Sequence, residues 1–172
     1  QLFEGIYTCG EVHGMYRPVF YRNKVHAVVG LDKKKGIVTG TYAEGTHRLI
    51  PVDDCMIEDQ KADSIIATLR TLFASFKYAP YNEDTHRGFM RHILIRRGFS
   101  TKEIMVVLVT ADNKFPSKNN FIKALLEQHP DITTIIQNIN DLSTSMILGK
   151  ANKVLYGKGY IEDVLCGCRF RI

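Results

Sequence analysis

Long apolar runs are missing from this sequence. No stretch approaches the roughly twenty residues that a membrane-crossing helix needs, so no membrane partner is expected. Cysteine is scarce: four occur in 172 residues, at positions 9, 55, 166 and 168, and only Cys166-Gly167-Cys168 is clustered. Such sparse thiols do not build the disulfide framework of a secreted domain. No signal-peptide pattern opens the sequence, and the expected setting is reducing and cytoplasmic. Catalytic signatures are missing too. There is no Gly-rich phosphate loop after a strand, no Gly-x-Ser-x-Gly elbow and no His-Glu-x-x-His helix. The six histidines, at 13, 26, 47, 86, 92 and 129, show no metal spacing. Cys166 and Cys168 could share a strand face, but no second pair completes a tetrahedral site. Asp53 and Asp54 are adjacent and point apart in an extended segment, so they read as turn residues rather than a general acid and base.

What is present suffices for a globular fold. Hydrophobic residues make up 45% of the chain, enough for a substantial core. The length predicts a single domain over 1–172. Alternation and turn residues predict strands over 18–29, 37–42, 46–52, 90–97, 104–111 and 132–139. The first two join through a Leu31–Gly36 turn. Shorter strands follow near 146–148, 153–156, 161–165 and 168–172. From Glu58 the period becomes helical, with Ile65, Ile66, Leu69, Leu72, Phe73 and Phe76 on one face. A second helix is expected over 118–128, with Ser117 as its N-cap and Pro130 beyond its end. Residues Leu2, Phe3 and Ile6 read as the tail of an earlier helix. The order predicts an α+β fold, a largely antiparallel β-sheet with two main helices packed on it. Its hairpin-length connections argue against a doubly wound parallel sheet.

The positive signal is charge. The net charge is +5, and it concentrates in two places. Six Lys or Arg residues lie between Tyr16 and Lys35 against the single acid Asp32. In the first strand Arg22, Lys24 and His26 alternate with Asn23, Val25 and Ala27, so one face offers nitrogen-bearing side chains and the other packs inward. That row suits phosphate contacts, and it equally suits an edge strand protected by charge. The second cluster holds Arg87, Arg91, Arg96, Arg97 and Lys102, with His92 among them. Tyr16, Tyr21 and Phe99 lie close by and could stack on unpaired bases.

Several motifs resemble, in order, those of the S-adenosylmethionine-dependent RNA uracil-5-methyltransferases that modify 23S rRNA and tRNA. They are Tyr21-Arg22-Asn23-Lys24-Val25; Val52-Asp53-Asp54-Cys55; Met90 through Gly98 with Glu103-Ile104-Met105-Val106; Ile135-Ile136-Gln137-Asn138-Ile139-Asn140; and Leu148-Gly149 followed by Leu155-Tyr156-Gly157 and Arg169-Phe170-Arg171-Ile172. The resemblance covers nearly the whole chain.

It implies that residues 1–172 correspond to the central domain of such an enzyme, positioning folded RNA, 23S rRNA above all. The methyltransferase domain that acts in cis, with its S-adenosylmethionine pocket, cysteine nucleophile and carboxylate base, would lie outside the chain. The chain itself would carry no cofactor and no catalytic residue. The resemblance assigns RNA contact to Arg22 and Lys24, and the two basic clusters add His26, Arg91, Arg96 and Arg97. Cys55 matches the position that gives the last thiolate to a four-iron, four-sulfur cluster in cluster-bearing members. The competing reading is a non-catalytic basic interaction module or scaffold unrelated to methyl transfer.

Overall fold

The computed structural model describes residues 10–144 and 146–172. The helical tail expected at Leu2–Ile6 lies outside them. Nine strands and two helices follow in the order β1 (Lys24–Asp32), β2 (Gly36–Tyr42), β3 (Leu49–Pro51), α1 (Gln60–Ser75), β4 (Met90–Arg97), β5 (Ile104–Thr110), α2 (Lys118–Gln128), β6 (Ile132–Ile139), β7 (Ala151–Gly157), β8 (Glu162–Leu165) and β9 (Cys168–Arg171). Seven strands form one sheet in the order β3-β2-β1-β4-β5-β6-β7, and β8 with β9 makes a separate hairpin. Every neighbouring pair is antiparallel except β5 and β6, the two strands joined through α2. This is the α+β architecture expected from the sequence.

Both helices cover one face of the sheet. Alternate residues Val25, Ala27 and Val29 of β1, Ile93 and Ile95 of β4, and Val106 and Leu108 of β5 meet Ile65, Leu69 and Phe73 of α1 and Phe121 and Leu125 of α2 in one core. An aromatic cluster closes its end, with Tyr78 packed against Phe73, Phe89, Phe115 and Phe121. The Tyr78 hydroxyl donates to the Pro116 carbonyl. The opposite face carries Lys24, His26 and Val28 of β1 beside Arg96, Leu94 and His92 of β4.

Local chemistry moved several boundaries. β1 begins at Lys24 rather than 18 and runs on to Asp32. The turn tightens because the Asp32 carboxylate accepts the backbone N–H groups of Lys34 and Lys35, at 2.8 and 2.9 Å, and Gly36 takes a positive φ of 77°. β3 keeps three residues of the strand expected over 46–52. There Gly40 is required, since a Cβ would sit 1.9 Å from the Ile50 carbonyl oxygen. Ser117 precedes α2 in a left-handed conformation and its side chain makes no cap bond. The cap that periodicity did not reveal is Asp59, whose carboxylate accepts from Lys61 and Ala62 at the start of α1. The strand expected near Met146–Leu148 is irregular loop instead.

Candidate nucleic-acid interface

The register of β1 on β4 places Lys24 directly opposite Arg96. Cross-strand partners stand about 5 Å apart at Cβ, and like charges in that relation are destabilising. Lys24 is exposed and Arg96 half-buried, and among the described residues neither meets a carboxylate. An unneutralised cation pair held on a rigid two-strand frame can accept an anion between the two side chains.

The other expected contacts divide. Arg22 lies outside β1, in an isolated bridge to Glu58, and its guanidinium sits 3.8 Å from that carboxylate. Burial raises the pKa of Glu58, with Asp63 adding to the effect and Arg22 opposing it, and the Arg22 side chain stays 47% exposed. Arg97 turns the other way and donates to Asp59 at 2.8 Å, tying the end of β4 to the cap of α1.

Arg91 is withdrawn from the set altogether. It occupies a β-bulge between Met90 and His92 and is only 2% exposed. Its Nη2 donates to both Glu83 oxygens at 2.9 Å. Its Nη1 donates to the carbonyls of Asn140 and Leu142 at 2.9 and 2.7 Å. Sequence alternation could not show this, because a bulge breaks the two-residue period.

His26 is corrected as a charge carrier. Its Nε2 lies 3.2 Å from His92 Nδ1, so one imidazole donates to the other. Burial lowers the His26 pKa, with Lys24 adding to it. Burial, then His26 and Arg91, lowers His92 to about 3. Both rings are neutral near pH 7 and offer hydrogen bonds rather than positive charge. Of the aromatics, Tyr16, Tyr21 and Phe99 are all exposed. Phe99 stands at the β4–β5 turn, where the Asp163 carboxylate from β8 accepts the N–H groups of Phe99, Ser100 and Thr101.

Asp53 and Cys55 stand on the segment between β3 and α1. Asp53 meets Arg70 of α1 in an ion pair. Cys55 is half-buried, with its backbone N–H directed to Asp63 at 3.4 Å. Among the described residues no three His, Cys, Asp or Glu side chains converge as a metal site. A four-iron cluster takes four thiolates, and Cys55 by itself does not hold one. No helix among the described residues is long and apolar enough to cross a membrane.

The geometry defines an α+β domain with a cationic strip on the sheet face away from its helices. No protein-family model matches the chain. Curated relatives do. It is 41% identical over 160 residues to an uncharacterized RNA methyltransferase of Oceanobacillus iheyensis, covering 92% of this chain and 35% of that protein. An uncharacterized RNA methyltransferase of Clostridium tetani is 42% identical over 162 residues, with 94% and 35% covered. One from Halalkalibacterium halodurans is 38% identical over 159 residues, with 92% and 34% covered. Among solved structures, the Pyrococcus abyssi tRNA (uracil-54, C5)-methyltransferase in complex with S-adenosyl-L-homocysteine shares the fold. The TM-score is 0.72 at 22% identity, over 91% of this chain and 36% of that one. The chain is similar over nearly its whole length to these RNA methyltransferases, and it spans about a third of the length of the curated relatives it matches.

Proposed function

We propose that this chain is the RNA-contacting central domain of a bacterial, cytoplasmic rRNA uracil-C5 methyltransferase. It grips folded RNA, 23S rRNA above all, while a further domain of the same protein binds S-adenosylmethionine and methylates the base. The observation that carries this reading is Lys24 facing Arg96, with neither in an ion pair among the described residues. Phosphate contacts of that kind supply sequence-independent, salt-sensitive affinity and set the orientation of the strand. Arg22, exposed beside the same strand, extends the charged surface. The flipped uracil would be handled elsewhere, since no nucleophile–base pair stands on this surface. The resemblance of Cys55 to a cluster ligand fits one thiolate contributed to a site whose other ligands lie in the longer protein.

The test is binding and turnover with the 172-residue chain. Titration against a 23S rRNA hairpin transcript and a tRNA transcript at low salt is expected to show salt-sensitive binding, tighter for rRNA. Incubation with radiolabelled S-adenosylmethionine is expected to leave the RNA unlabelled. Failure to bind either RNA at low salt would reduce the chain to a scaffold for the catalytic domain. Methyl transfer by the chain alone would contradict the assignment of chemistry to another domain.

A further inference from the structure

The cationic strip runs into a cavity of about 480 Å³ on the same sheet face. Its floor is the imidazole pair of His26 and His92, with ring centroids 5.1 Å apart. A second ring pair, Tyr42 and His47 at 5.7 Å, stands at its side. Glu83, Thr41 of β2 and the loop residues Ser143 and Thr144 complete the polar lining, and Val28 and Ile147 add apolar wall.

Arg91 builds this cavity. Its one guanidinium binds the Glu83 carboxylate from the loop before β4, and the carbonyls of Asn140, Leu142 and Thr144 from the loop after β6. Two walls from distant parts of the sequence are thereby fixed over the β1–β4 floor. The ion pair also removes both charges from the cavity's chemistry. What remains is aromatic and hydroxylic: the neutral His26 and His92 rings, the Tyr42 phenol, the His47 ring held by Asp84, and three hydroxyls, beside the apolar Val28 and Ile147.

Those features discriminate among ligands. A phosphate would find no Lys or Arg side chain lining the cavity among the described residues. A purely apolar group would leave the hydroxyls of Thr41, Ser143 and Thr144 without a partner from the ligand. A planar ring with hydrogen-bonding edges satisfies both the ring faces and the polar groups. Position agrees as well. His26 follows Lys24 by two residues on one strand face, about 7 Å along the chain.

We propose that the His26–His92 cavity takes an unpaired nucleobase of the RNA whose phosphates meet Lys24 and Arg96. The site therefore reads single-stranded or looped RNA rather than a continuous duplex. This inference rests on the RNA-contacting reading above and adds a base subsite to it.

The experiment compares two labelled probes on the 172-residue chain at low salt: a single-stranded RNA octamer, and an octamer of the same ribose-phosphate backbone without bases. Stacking and edge contacts to one base predict roughly fivefold to hundredfold tighter binding of the base-bearing strand. Ser143→Trp, which fills the cavity from an exposed loop position, should bring that ratio toward one. His47→Ala, at a side chain 56% exposed, should reduce it without endangering the fold. Equal binding of both probes by the native chain overturns the base subsite and leaves the phosphate surface standing. A preference that survives both substitutions moves the base elsewhere and overturns this cavity as its site. If neither probe binds, the RNA-contacting reading falls and the subsite with it.

Discussion

Arg91 and Glu83 form a buried ion pair in which Nη2 donates to both carboxylate oxygens, with side chains 1% and 13% exposed. Removing one partner strands the other charge away from water. Arg91→Ala is therefore expected to cost about 3–5 kcal/mol of unfolding free energy in urea titrations. Lys24→Gln, at an exposed position, should stay within about 0.5 kcal/mol of the native chain. An Arg91→Ala variant as stable as Lys24→Gln would contradict the architectural role given to Arg91.

The two imidazoles make stability depend on pH in a defined direction. Burial, then His26 and Arg91, lowers His92 to about 3, and burial with Lys24 lowers His26. Unfolded histidine titrates near 6.5. Between those values the unfolded chain binds more protons, so the stabilisation is complete above about pH 6.5 and is lost as pH falls toward 3. Unfolding free energy should drop by up to about 1.4 kcal/mol per pH unit per histidine on this limb. His92→Gln should flatten the slope between pH 6.5 and 5, before most carboxylates titrate. An unchanged slope would show that His92 is protonated as readily folded as unfolded.

Asp59 does two jobs that substitution can separate. Its Oδ1 caps α1, and its Oδ2 accepts from Arg97 at 2.8 Å. Asp59→Ala should cost about 1–2 kcal/mol from the lost cap alone. Asp59→Asn keeps a capping oxygen and should lose less, because it gives up the charge on the Arg97 contact while retaining the helix start. Equal losses in chemical denaturation would mean the cap contributes little.

The sheet and both helices were legible because their signals are periodic. Met90–Arg97 and Ile132–Ile139 match the observed strands residue for residue, and α2 matches 118–128. The misses are local. The Met90–His92 bulge turned Arg91 inward. Asp32 side-chain bonds drew the first turn in to three lysines. Residues 146–148 gave up strand geometry to the loop, where Asn140 donates to the Met146 and Ile147 carbonyls.

For the site, composition alone could point to the basic strand. Which cations stay unpaired depended on register and on acids far away in sequence, such as Glu58 and Asp59. The pairing of His26 with His92 spans 66 residues, and no spacing rule reports a contact of that range.

Salt dependence of RNA binding tests the central claim most directly. For a single-stranded RNA, each phosphate contact contributes about 0.7 to the slope of log affinity against log salt. The native chain and the double variant Lys24→Gln, Arg96→Gln would be titrated from about 50 to 200 mM salt, a range over which phosphate-driven affinity falls steeply. The account predicts weaker binding by the variant and a slope shallower by about 1.4, with stability equal to or slightly above that of the native chain. Identical affinity and slope for the two proteins would contradict it.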